Sequence, residues 1–201
     1  MGLESRSTTP KERRAKPARP LTLARLERAA LGYLQRHPAS VNHFRRVMAR
    51  KIARAHARCP GDEAGYDSWL VEVERKCVRC GMLDDQGFAH GVAGTLHRRG
   101  LGTRAIRHRL RQKGLRDPEI TLAIEALEST FGDADLRAAV IFARKKRLGP
   151  FGPPPEDQRG YRRHLGALAR RGFGHDLARR ILDSDRASLE AAVESSPETR
   201  C

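Results

Sequence analysis

Acidic residues are missing from long stretches of this 201-residue chain. None occurs in Arg28–Gly61, in Gln86–Arg116 or in Gln158–His175. The balance is 40 Lys and Arg against 24 Asp and Glu, a formal charge of +16. A field of that sign draws polyanions: nucleic acid, an anionic membrane or an acidic protein surface. Cysteine is sparse, at four residues, and reduced thiols are the expectation. No apolar run is long enough to span a bilayer. Residues 1–20 start charged but carry no apolar stretch of the signal-peptide kind. A soluble, cytoplasmic protein without a membrane partner is expected. Also missing are a Ser/His/Asp or Cys/His constellation and a glycine loop that could cradle phosphate. The chain therefore reads as no enzyme and calls for no cofactor.

What is present centres on Leu83–Lys113. Phe88, Val92 and Leu96 fall four residues apart, on one face of a helix. Gly100-Leu101-Gly102 stops that helix, and a second follows from Thr103 with Ile106 and Leu110 on its buried side. Arg98, Arg99, Arg104, Arg107, Arg109, Arg111, Lys113 and Arg116 supply the charge. The result is a helical hairpin with one apolar and one strongly positive face.

The rest of the chain also reads as helices. Residues 1–20 hold three prolines and six Lys or Arg, the composition of a disordered basic arm. One helix runs from Thr22 to the Pro38 stop, and Ser40 caps a second carrying Val41, Phe44, Val47, Met48 and Ile52. A third spans about Asp62 to Cys80, buried through Trp69, Leu70, Val73, Cys77 and Cys80. After the hairpin, Asp117 is the expected cap of a helix with Ile120, Ile124 and Leu127. Asp133 caps another, ending in Arg144-Lys145-Lys146-Arg147. Leu148–Pro155 is expected to be irregular. Two more helices carry Tyr161, Leu165 and Leu168, then Leu177, Ile181 and Leu182, and the tail beyond Asp183 is polar. The sum is about nine helices and no strand.

The chain repeats itself. Leu96-His97-Arg98-Arg99-Gly100-Leu101-Gly102 matches Leu168-Ala169-Arg170-Arg171-Gly172-Phe173-Gly174, with Leu110 and Leu182 at the same offset. Leu34–Ser40 is a weaker copy. Each basic hairpin is followed by an acid-richer segment, Asp62–Asp85, Asp117–Asp135 and Asp183–Glu198. The expected fold is all-α, an elongated array of tandem three-helix repeats. Its divisions are a basic arm (1–20), repeats at 21–82, 83–132 and 133–184, and a polar tail (185–201).

Three motifs have competing readings. His56-x-x-Cys59 and Cys77-x-x-Cys80 have zinc-site spacing. About fifteen helical residues would hold the two pairs roughly 22 Å apart, so buried thiols are the better reading and no metal is expected. Asp84 suits a helix cap better than a metal ligand. Thr103–Gln112 follows a glycine turn as a DNA-reading helix does, but its recurrence favours a repeat hairpin that touches phosphate without reading sequence. The eight histidines lie among cations that disfavour their charged form.

The order and spacing of Leu83-Asp84-Asp85, Phe88-Ala89, Arg99-Gly100-Leu101-Gly102, Ile106–Leu110, Lys113-Gly114, Ala143–Lys146 and Leu168–Phe173 resemble the RecX family, regulators of the RecA recombinase. The resemblance covers roughly Leu21–Asp183. It departs at Gly87, where the family usually has a cation, and at Pro38, where later units have glycine. It implies tandem three-helix units and a monomer that binds RecA and the RecA–DNA filament. Such a protein would lodge in the filament groove and restrain ATP hydrolysis, strand exchange and co-protease activity in homologous recombination, DNA repair and the SOS response. The residues expected to meet filament acids or DNA phosphates are Arg98, Arg99, Arg104, Arg107, Arg111, Lys113, Lys145, Lys146, Arg170 and Arg171. Single- or double-stranded DNA is a further expected partner. The rival reading is a general basic DNA- or RNA-binding protein with no RecA surface.

Overall fold

The computed structural model describes residues 19–61 and 63–195. They form α1 (Leu23–Leu34), α2 (Val41–Arg58), α3 (Glu63–Arg79), α4 (Asp85–Arg98), α5 (Thr103–Gln112), α6 (Asp117–Phe131), α7 (Ala134–Lys146), α8 (Gln158–Arg170), α9 (His175–Asp183) and α10 (Arg186–Glu194). No strand occurs among the described residues. The fold is all-α. All but the last two residues of the expected basic arm lie outside the described residues.

Side-chain caps set many of the starts. Thr22, Ser40, Asp84, Asp133 and Asp157 each accept a bond from a first-turn amide of the helix that follows. Asp117 does not. It is the first residue of α6, the N-cap is Arg116 without a side-chain bond, and the Asp117 carboxylate accepts from Arg111 Nε at 3.0 Å. The stretch after Leu148, expected to be irregular, makes one 3₁₀ turn at Gly149–Phe151. The tail beyond Asp183 contains a tenth helix, α10, capped by Asp185 and held by the buried Leu189.

Three successive cores line the chain. The first joins Leu26, Phe44, Met48, Val73 and Cys77 of α1–α3. The second joins Ala89, Ile106, Leu110, Ile120 and Ile124 of α4–α6. The third joins Leu136, Val140, Phe142, Leu168, Ile181 and Leu189 of α7–α10. Trp69 of α3 is only partly buried, and Cys80 lies exposed just past the helix end, so the expected apolar stripe ends at Cys77.

The buried face of α4 differs from the expected one. Ala89, Ala93 and His97 are the buried row, while Phe88, Val92 and Leu96 are partly buried at its margin. The physical cause is close packing. α4 packs most extensively on α6, and alanines let two helices approach in a way that Phe and Leu would not. His97 fits this wall because Nε2 donates to the Ala134 carbonyl at 2.8 Å and its ring stacks on Phe131 at 4.7 Å.

Directional polar bonds join one core to the next. The Asp85 carboxylate, at the start of α4, accepts from the Val41 amide at the start of α2 (2.8 Å). The Asp135 carboxylate, at the start of α7, accepts from the Thr103 amide at the start of α5 (2.6 Å) and from its hydroxyl (3.1 Å). One device thus recurs: an early aspartate of the next unit satisfies a free amide in the first turn of an earlier helix. Ser40 Oγ adds a bond to the Lys113 carbonyl at 2.6 Å.

Candidate functional site

The two matching glycine turns touch each other. Both close their helices with the same bond, Leu101 N–H to the Leu96 carbonyl and Phe173 N–H to the Leu168 carbonyl. Gly100 and Gly172 take the left-handed backbone, at φ 73° and 92°. Across the contact, Gly102 N–H donates to the Arg171 carbonyl at 2.9 Å. A Cβ at Gly172 would stand 2.7 Å from the backbone nitrogen of Ala105, so glycine is required by space as well as by φ.

This contact gathers much of the predicted site. Arg98 and Arg99 end α4, Arg104 lies beside Ala105, and Arg170 and Arg171 end α8. Gly100 packs against Phe142 of α7, and the Arg171 guanidinium lies 4.7 Å over the Phe142 ring. Lys145 and Lys146 follow Phe142 by three and four residues, hence on the same side of α7. Arg98, Arg99, Arg104, Lys145, Lys146 and Arg170 are exposed, and Arg171 is half-buried.

Three predicted residues depart from that cluster. Arg107 is half-buried. Arg111 is in an ion pair with Asp117 at 2.9 Å, so its charge is already partly answered. Lys113 lies at the opposite end of α5, about 15 Å away by helical rise, with its ammonium 5.8 Å from the Phe88 ring. Acids of the acid-richer segments pair with basic-helix arginines, Glu74 with Arg45 at 2.7 Å and Glu190 with Arg144 at 2.8 Å.

A second basic cluster was missed in the sequence. Arg46, Arg50 and Arg54 recur every fourth residue along α2, all exposed, and none meets a carboxylate within 4.0 Å among the described residues. A Cβ at Gly114 would stand 3.3 Å from Arg46 Nη2, which puts this ladder next to the Lys113 turn. His43 records the local field: burial first, then Arg46, Arg50 and Lys113, hold its imidazole below the ordinary value. The acid-free run Arg28–Gly61 was the available signal.

Among the described residues, no group of three or more His, Cys, Asp and Glu could hold a metal ion. No helix among them is long and apolar enough to cross a membrane. Fold and surface thus define an all-helical repeat protein with cationic faces suited to anionic partners. A model of the RecX family described as "RecX, second three-helix domain" matches residues 84–124. "Regulatory protein RecX" of Myxococcus xanthus is 37% identical over 178 residues, covering 88% of this chain and 94% of that protein. The protein of the same name from Leptothrix cholodnii is 34% identical over 159 residues, covering 78% and 87%. The crystal structure of RecX from Lactobacillus salivarius superposes with a TM-score of 0.55 at 15% identity, over 84% of this chain and 97% of that one, a likeness of fold. The chain belongs to the RecX family of regulatory proteins.

Proposed function

We propose that this regulatory protein binds RecA and RecA–DNA filaments and restrains RecA's ATPase, recombinase and co-protease activities in DNA repair and the SOS response. It acts in the cytoplasm as a monomer, by binding and not by catalysis. The observation that carries the reading is the contact between the two glycine turns, in a chain of this family. It joins the turn flanked by Arg98, Arg99 and Arg104 to the turn that follows Arg170 and Arg171, and Arg171 lies over Phe142, one helical turn before Lys145 and Lys146. Arginine forks there meet carboxylates or phosphates. Arg107, Arg111 and Lys113 stand apart from that contact along α5, with Arg111 already paired to Asp117.

The α2 ladder favours a second reading, plain nucleic-acid binding through counterion release. One titration separates the two. Single-stranded-DNA-dependent ATP hydrolysis by RecA should fall at ratios well below one protein per RecA. Loss only after the DNA is saturated would point to coating of the DNA and would overturn the RecA-directed reading.

A further inference from the structure

The apolar row that α4 buries only in part also faces outward. Phe88, Val92 and Leu96 line an open groove of about 490 Å³, closed on one side by Pro38 of the α1–α2 turn. Arg99 and Lys113 stand on its rim, both exposed and neither within 4.0 Å of a carboxylate among the described residues. Gly91 opens the groove further. It lies mid-helix, where glycine weakens a helix, yet a Cβ there would meet nothing within 4 Å. Among the described residues nothing fills the space above it, so the groove is open at that point.

We propose that this groove docks an amphipathic helix of the protein partner. Its apolar row would meet Phe88, Val92 and Leu96, and its carboxylates would reach Arg99 and Lys113. The occupant is protein, because an amphipathic helix matches the aliphatic floor of Val92 and Leu96 as well as the cationic rim, whereas bases of a single strand would stack on Phe88 alone. The partner is RecA, so the proposal rests on the reading above and assigns this part of the surface to protein, leaving the α2 ladder for DNA.

The test fills the groove from this chain's side in the full-length protein. Gly91→Leu places a side chain in the groove, and Gly91→Ala adds only the Cβ that has room. Inhibition of RecA's DNA-dependent ATPase, binding to single-stranded DNA alone, and thermal melting are measured for both. Gly91→Leu should need about tenfold more protein for half-inhibition, the scale of one lost central contact. DNA affinity should be kept, melting should not fall because glycine is the weaker helix former at this position, and Gly91→Ala should inhibit as wild type. Unchanged inhibition by Gly91→Leu overturns the groove while the RecA reading stands. Equal loss in both variants, or loss with lowered melting, assigns the effect to the helix and also overturns it. A wild-type protein that does not inhibit RecA removes both the reading and the groove.

Discussion

His97 is the residue at which the fold departs most from a simple apolar pattern. It is 1% exposed, and its Nε2 bonds the Ala134 carbonyl. Burial, aided by Arg137 and Arg98, holds its imidazole below the ordinary 6.5, although the Ala134 bond works the other way. The unfolded chain therefore takes up this proton first as pH falls. The stabilisation is fully present above the ordinary histidine value and is lost as pH drops towards the lower folded one. Denaturant midpoints should thus fall below pH about 6.5, and His43 contributes in the same direction. His97→Phe should cost about 1 kcal/mol at neutral pH by removing the donor to Ala134, and should flatten the acid limb. An acid limb as steep as wild type in that variant would place the titrating group elsewhere. The row Ala89, Ala93, His97 was not legible beforehand. Its neighbour Phe88, Val92, Leu96 carries far more hydrophobic signal, and no spacing rule reveals how closely α6 approaches.

At the scale of elements, periodicity and caps were sufficient for most of the chain. Ser40, Asp84 and Asp133 cap as their positions suggest, because a short polar side chain before an apolar row has few better uses. Two elements escaped. In α10, the apolar row is only Leu189 with Ala192 and Val193, too short to mark a helix in a polar tail, and the helix depends on packing against α7. Leu189→Ala should cost about 2–3 kcal/mol, at the low end for a buried leucine because the helix is peripheral. Thermal unfolding would read it, and a change under about half a kcal/mol would mean α10 is an appendage of the core. The ladder on α2 escaped for another reason. The arginines flanking the glycine turns recur with a motif, whereas Arg46, Arg50 and Arg54 belong to no repeated motif. Among the described residues no carboxylate pairs with them, which only the packed structure displays.

For the molecule as a whole, the charge is distributed and not merely abundant. One basic surface surrounds the paired glycine turns, and another runs along α2 to Lys113. If the ladder carries phosphate contact, replacing Arg46, Arg50 and Arg54 by Gln should lower the salt slope of single-stranded-DNA binding by about 2, at roughly 0.7 per phosphate contact. An unchanged slope would move DNA contact to the turns. The ten residues expected at the site could be named from the sequence, but their division between the two ends of α5, and the engagement of Arg111 by Asp117, required the fold. The turn-to-turn contact also bears on how such a chain can change over generations. Each glycine turn is part of the other's surroundings, with Gly102 against Phe173 and Gly172 against Ala105. A side chain gained in one copy is therefore a lesion in both, and the two cannot drift apart as duplicated segments usually do. Copying one helical hairpin alone would leave a turn with nothing to face, so lengthening the array requires inheriting the joint together with the unit.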